Sequence, residues 1–190
     1  MSNIIGLCIK NWLQGMIRRI KYKCAIIKFR KKYHNVFIER SVQVKNIRDL
    51  TIGKNVVIQK GSILHCGGMK WSDFKGYIRI GDDSVISPYC IFYGAGGIEI
   101  GKRFDCAPGV MIFSSCTDYN CGINGQKNEK RLFKKVIIGD DVILFAGVIV
   151  NLGVKINSGA VIGAGSVVLS DIPSNEVWAG VPAKFIKKRT

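Results

Sequence analysis

IGDDVI-LFAGVI-VNLGVK-INSGAV-IGAGSV-VLSDIP, residues 138–173, places an aliphatic residue at every sixth position: Ile138, Leu144, Val150, Ile156, Ile162 and Val168. A fixed short period sustained over this length marks a repeat architecture, in which each unit buries its apolar side only against the next. The leading residue of each hexad reads as inward-facing. Gly, Asn or Asp at the second to fourth positions supplies the turn, because these residues accept positive φ or bond their own backbone. Three short strands and three turns close one triangular coil, and coils stack at the roughly 4.7–4.9 Å spacing of paired strands. The spacing predicts an all-β chain wound as a parallel β-helix rather than a set of ordinary short strands.

The same frame runs N-terminally as IGKNVV, IQKGSI and LHCGGM from Ile52, as IGDDSV, ISPYCI and FYGAGG from Ile80, and as IGKRFD, CAPGVM and IFSSCT from Ile100. It breaks twice. After Leu64 the chain leaves through His65 to Tyr77, and after Ile112 it leaves through Ser114 to Tyr119 and a polar stretch ending at Lys135. Both departures follow the third hexad of a coil, so both loops are expected at one corner of the triangle. Between them lies Tyr93-Gly94-Ala95-Gly96-Gly97, almost without side chains. Loop walls over a glycine floor predict a notch suited to a ligand.

The C-terminal IGAGSVVLSDIPSNEVWAGVPAKFIKKR, with its GAGSVV, D-x-P and AGVPAKFIKKR elements, resembles the coenzyme end of the hexapeptide-repeat acyltransferases, and the resemblance extends from about Val42 to Arg189. Within that family the chain is most similar to bacterial acetyltransferases of capsule, O-antigen and lipopolysaccharide synthesis. The resemblance implies a left-handed helix, acetyl-CoA as co-substrate, a sugar acceptor, and a homotrimer with coenzyme between adjacent subunits. It assigns Ala146, Gly163, Ala164, Leu169 and Ser170 to the pantetheine groove. Lys184 and Lys187, with Arg189 beside them, match its phosphate-contacting cations, as suits a ligand carrying a pyrophosphate and a 3′-phosphate.

One departure concerns the chemistry. Where the resembling sugar acetyltransferases carry a histidine in a string like S-H-D-Y, this chain reads Cys116-Thr117-Asp118-Tyr119. A positioned base contributes about 10²–10⁴-fold to attack by a hydroxyl, and threonine is no base near neutral pH. Three explanations follow: His65 or Asp118 acts as base in O-acetylation; the acceptor is a nucleotide-linked amino sugar whose amine attacks without imidazole, Thr117 and Asp118 only orienting or deprotonating it; or the chain is a catalytically silent scaffold. The intact C-terminal signature argues against the last.

The rest of the chain bounds the reading. Its 190 residues and 47% hydrophobic content suit a single β-helical domain (35–175, with loops near 65–77 and 117–135), preceded by a segment 1–34 and followed by a basic coenzyme-binding tail 176–190. The net charge of +16 is uneven: Lys10, Arg18, Arg19, Lys21, Lys23, Lys28, Arg30, Lys31 and Lys32 crowd the first 32 residues without an acid. Ile5, Ile9, Trp12, Met16, Ile20, Cys24 and Ile27 recur at helical spacing there, giving a basic amphipathic helix. Such a helix fits the surface of an anionic bilayer or a cap on the first coil. No apolar run is long enough to span a membrane, and no secretory signal is evident. Seven scattered cysteines suit a reducing cytoplasm, Cys106 packing as a small apolar residue and Cys116 and Cys121 flanking the second loop. Two histidines, His34 and His65, cannot supply the three-histidine zinc site of a γ-type carbonic anhydrase, and no metal-ligand spacing occurs elsewhere. Nothing between the basic termini resembles a nucleic-acid reading motif, so no specific nucleic-acid partner is expected.

Overall fold

The first residue of each hexad is buried, and in most hexads the fifth is too: Ile138 with Val142, Leu144 with Val148, Val150 with Val154, Ile156 with Ala160. The computed structural model describes residues 12–17, 20, 27, 33, 35–68, 72, 75–118 and 131–190. The chain divides into two units, Met1–His34 and Asn35–Thr190.

The second unit is a three-faced parallel β-helix. Face A stacks β1 (Phe37–Ile38), β4 (Val57–Ile58), β7 (Val85–Ile86), β10 (Asp105–Cys106), β15 (Ile143–Leu144), β18 (Val161–Ile162), β20 (Glu176–Ala179) and β21 (Lys184–Lys188). Face B stacks β2 (Gln43–Lys45), β5 (Ile63–His65), β8 (Ile91–Tyr93), β11 (Met111–Phe113), β16 (Ile149–Val150) and β19 (Val167–Val168). Face C stacks β3 (Leu50–Ile52), β6 (Ile78–Ile80), β9 (Ile98–Ile100), β14 (Val136–Ile138) and β17 (Lys155–Ile156). A separate antiparallel hairpin joins β12 (Ser115–Thr117) to β13 (Arg131–Phe133). The C-terminal tail is no loose extension: β21 folds back antiparallel on β20, which extends face A beyond the last coil.

Stacking in register lines up like residues. Inside, each fully buried Ile or Leu contributes about 1.5–3 kcal/mol relative to exposure. Buried serines appear where the ladder is polar, and each is satisfied; Ser166 Oγ donates to Gly163 O at 2.6 Å and accepts from Gly180 N–H at 3.0 Å. Outside, face C is polar, with Thr51, Arg79 and Glu99 in one row. Face B instead aligns Ile63, Ile91, Met111, Ile149 and Val167, all half-buried.

The three corners differ. The C–A corner is a ladder of acids over backbone amides: Asp82 accepts from Lys54 N–H, Asp140 from Lys102 N–H, and Asp141 takes both guanidinium arms of Arg103 at 2.6 and 2.7 Å. The A–B corner is rich in glycine in its C-terminal half, where Gly109, Gly147 and Gly165 stack in successive turns beside the exposed Phe145. The B–C corner carries both loops.

In the first unit, residues 12–17, 20 and 27 are helical. The described members of the apolar stripe, Trp12, Met16, Ile20 and Ile27, are exposed. Ile5, Ile9 and Cys24 lie outside the described residues, as do His34, Cys121 and the tip of the second loop, 119–130.

Candidate active site

Each interruption of the hexads falls between a face B strand and the next face C strand, so the loops and the Gly94–Gly97 turn pile up at one corner. They enclose a cavity of 610 Å³. Lys75, Gly76 and Tyr77 of the first loop form one wall, Ala95 and Gly96 line the floor, and Phe133 enters from the hairpin. The floor is glycine because backbone packs on backbone there. A Cβ on Gly94 would lie 2.6 Å from Tyr77 O, and one on Gly96 would run into Ser114 O. Ser114, fully buried, ties the floor to its neighbours: its Oγ donates to Tyr93 O at 2.8 Å and accepts from Gly96 N–H at 2.8 Å.

A charged cluster stiffens the wall. Tyr77 donates its hydroxyl to Glu99 Oε1 at 2.7 Å, Arg79 and Lys135 each approach Glu99 at 3.3 Å, and the Arg79 guanidinium lies 4.5 Å over the Tyr77 ring. The Tyr77 hydroxyl, together with Lys135 and Arg79, holds the Glu99 carboxyl below its usual range, while burial and Glu99 push the Tyr77 hydroxyl up. Neither residue stands out in the sequence. Their contact crosses coils, so only the 20-residue register between Arg79 and Glu99 makes them neighbours.

His65 closes β5 and is only 6% exposed. It pairs in register with Lys45 on one side and Tyr93 on the other, stacking on the Tyr93 ring at 5.2 Å with 7° between planes. Phe113 continues the row at 5.9 Å from Tyr93. The His65 Nδ1 lies 3.4 Å from the Gly67 N–H. Burial, then nearby Lys45, lowers the imidazole pKa, so the ring is neutral at pH 7. Thr117 and Asp118 belong to the other loop: Thr117 is exposed on β12 opposite Arg131, and Asp118 follows it half-buried. The row from His65 to Phe113 spans two strand steps, about 9–10 Å, so the fold does not stack His65 directly on the Thr117–Asp118 pair.

The row continues past Phe113 to Asn151 and then Leu169, since Ile112 pairs with Val150 and Val150 with Val168. The residues expected along the pantetheine groove thus divide between two corners. Ala146, Gly163 and Ala164 lie on the glycine-rich A–B corner; Leu169 and Ser170 lie across face B on the loop-bearing B–C corner. One prism cannot bring them together. Lys184 is opposite Ala179, which packs on Gly163, and therefore prolongs the A–B corner. Lys187, opposite Val177, lies further along face A. Arg189 is engaged otherwise: its guanidinium donates to Asp141 O at 2.9 Å and Gly159 O at 3.0 Å, which satisfies carbonyls of the C–A corner.

Cys106 is fully buried beside Cys90, the sulfurs 3.7 Å apart, and burial raises its pKa. Cys66, beneath the first loop, is pushed up to about 12, while Cys116 is half-buried. Among the described residues no three His, Cys, Asp or Glu side chains converge on a metal-sized site, and no helix is long and apolar enough to cross a membrane.

No protein-family profile matches the chain. Among solved structures it is similar to AntD from Bacillus cereus, an N-acyltransferase crystallised with dTDP and 3-hydroxybutyryl-CoA: 27% identity over 82% of this chain and 81% of that one, TM-score 0.71. It is also similar to a maltose O-acetyltransferase from Clostridium difficile 630, with 27% identity over 82% of this chain and 67% of that one, TM-score 0.57. PerB from Caulobacter crescentus, crystallised with CoA and GDP-perosamine, shares the fold at 19% identity over 80% of this chain and 57% of that one, TM-score 0.53. These neighbours are hexapeptide-repeat sugar acyltransferases with the left-handed β-helix that the hexads and the C-terminal signature led us to expect.

Proposed function

We propose that this hexapeptide-repeat β-helix transfers an acetyl group from acetyl-CoA to a sugar in surface-polysaccharide synthesis. The observation that carries the proposal is the order of features along the B–C corner: the cavity, then the hairpin bearing Thr117 and Asp118, then Asn151 and Leu169 on the coenzyme side. An acceptor in the cavity and a thioester over Leu169 would meet at the hairpin. Attack on the thioester carbonyl forms the new C–O or C–N bond, the acceptor gives up one proton, and coenzyme A leaves as its thiol. The stacked glycines leave room for the pantetheine arm to lie close against the backbone of this corner, and Lys184 at its end offers a cation to the phosphates.

The coenzyme site is completed by a second copy. Ala146, Gly163 and Ala164 face Leu169 and Ser170 only if the A–B corner of one subunit abuts the B–C corner of the next, and a closed ring of three repeats that contact. The apolar row on face B supplies a surface for it. The exposed apolar side chains and the charge of segment 1–34 suit peripheral contact with an anionic inner membrane face, where lipid- or nucleotide-linked sugars are at hand.

For a hydroxyl acceptor the base is His65 or Asp118. A second reading, an amino-sugar acceptor, is favoured by the state of His65. Stacked on Tyr93 and only 6% exposed, with burial disfavouring its charged form, the ring is poorly placed to take a proton from a bound hydroxyl. The likeness to AntD, an N-acyltransferase, points the same way. The deciding measurement is coenzyme A release from acetyl-CoA with panels of hydroxyl and amino sugars, using wild type, His65→Ala and Asp118→Asn. Turnover of amino sugars alone, indifferent to His65→Ala, establishes N-acetylation; hydroxyl turnover lost in His65→Ala establishes His65 as the base. No release with any sugar refutes the function.

A further inference from the structure

We infer that Tyr89 is the end wall of a donor trough along the A–B corner and restricts the transferred acyl group to a short one. This rests on the acyl-transfer function proposed above, with coenzyme at that corner, and names the donor class for it. Successive turns of the corner place one residue each in the left-handed region: Gly61, Tyr89, Gly109, Gly147 and Gly165, with φ of 72°, 61°, 75°, 69° and 67°. Glycine suits that region, and of the five only Tyr89 carries a side chain there.

The row is open on one side of Tyr89 and filled on the other. Among the described residues, a Cβ would meet nothing nearer than 3.9 Å at Gly109 and 4.0 Å at Gly147, and nothing within 4 Å at Gly165. At Gly61 a Cβ would run into the Tyr89 ring. The ring therefore lies along the corner toward the N-terminal coils and occupies the place where the trough would continue. It remains 60% exposed, so burial in the core does not account for it. A bulky residue in a backbone conformation that disfavours it is not demanded by the coil, since glycine makes the same turn at the other four levels.

Length and direction place the acyl group at this wall. Lys184 prolongs the C-terminal end of the corner, beyond the Gly163–Gly165 turn, so a coenzyme with its phosphates there points its sulfur toward Tyr89. From phosphate oxygen to sulfur the pantetheine arm has about a dozen bonds, the backbone count of roughly four residues, or about 14 Å extended. The coil steps from Gly165 through Gly147 and Gly109 to Tyr89 also span about 14 Å. With the phosphates held beyond Gly165, the sulfur falls near Gly109. The same coil runs from Gly109 through β11 into the β12–β13 hairpin, so in a ring of parallel copies the sulfur is level with the hairpin of the next, where donor and acceptor meet. One coil step, about 4.8 Å, then separates it from Tyr89: enough for acetyl, too little for a longer chain to extend.

The test is calorimetric titration of the full chain with acetyl-CoA and hexanoyl-CoA, for wild type, Tyr89→Gly and Tyr89→Phe. Glycine suits the left-handed turn, so Tyr89→Gly should fold. Wild type is expected to bind hexanoyl-CoA no more tightly than acetyl-CoA. In Tyr89→Gly the trough runs on over Gly61, and hexanoyl-CoA should bind more tightly than acetyl-CoA by about tenfold or more, the scale of two newly buried methylenes. Tyr89→Phe keeps the ring and should keep the wild-type ranking. A preference for hexanoyl-CoA already present in wild type, no change of ranking in Tyr89→Gly, or the same change in Tyr89→Phe overturns the inference. The outcomes separate the two claims: acetyl-CoA binding with an unmoved ranking refutes the role of Tyr89 alone, whereas absence of binding to either thioester refutes acyl transfer.

Discussion

His65 illustrates how one side chain changes meaning between sequence and fold. As the histidine at the root of a loop it reads as a base; in the structure it is a buried, stacked ring whose neutral form is favoured by desolvation. This has a consequence for stability. Because the folded pKa is below the ordinary 6.5, acid in the intervening range protonates the unfolded chain but not the folded one. The stability associated with neutral His65 is therefore complete above the ordinary value and falls as pH drops through it toward the folded pKa. Urea unfolding at about pH 7.5 and about pH 5.5 should show a larger loss for wild type than for His65→Gln. Equal losses would mean that the imidazole does not titrate differently on folding. Thr117 and Asp118, by contrast, are where the sequence puts them, on the loop, and their chemistry depends on what the loop holds.

At the level of elements, the C-terminal hairpin separates two lysines that the sequence treats alike. In AKFIKK they look like one basic run. Folded, Lys184 extends the glycine-rich A–B corner, while the antiparallel course of β21 carries Lys187 away from it along face A. We expect Lys184→Glu to raise the KM for acetyl-CoA by about tenfold, the scale of one charge-assisted phosphate contact, and Lys187→Glu to raise it less; kcat should change little in either. Steady-state kinetics with saturating acceptor distinguishes them. Equal effects would show that strand position is irrelevant to the phosphate contact, and no effect in either would move the phosphates elsewhere. The β12–β13 hairpin repeats the lesson: the sequence marks residues 114–135 as an interruption, yet only strand pairing brings Phe133 to the cavity beside Gly96.

Two predictions belong to the whole molecule. The residues proposed for the coenzyme are split between two corners, so the proposed site calls for a neighbouring subunit, and on that reading the protein should sediment as a trimer. Ile91→Glu with Ile149→Glu, both on the outer row of face B, should yield a folded monomer without transferase activity. An active monomer would sink the shared site. Deleting residues 2–32 should abolish sedimentation with vesicles containing phosphatidylglycerol and leave binding to neutral vesicles unaltered, because this segment carries the acid-free cluster of cations. Equal vesicle binding by both forms would remove the membrane contact.

The sequence by itself determined the coil. A period of six with aliphatic leaders and turn residues between admits one arrangement that buries every leader, and Ile52, Ile80, Ile100 and Ile138 are buried where that period puts them. It also determined the corner of the loops, since strand count alone fixes where an insertion leaves the triangle. Tertiary structure decided the rest. Tyr77, Glu99 and Lys135 meet because coils stack, not because of any local pattern, and a hydrogen bond between residues 22 positions apart has no signature in either segment. The resemblance assigned Ala146 and Leu169 to one groove, whereas the hexad count already separates them, LFAGVI being the second hexad of its coil and VLSDIP the third, and the closed three-faced coil sets a full face between them.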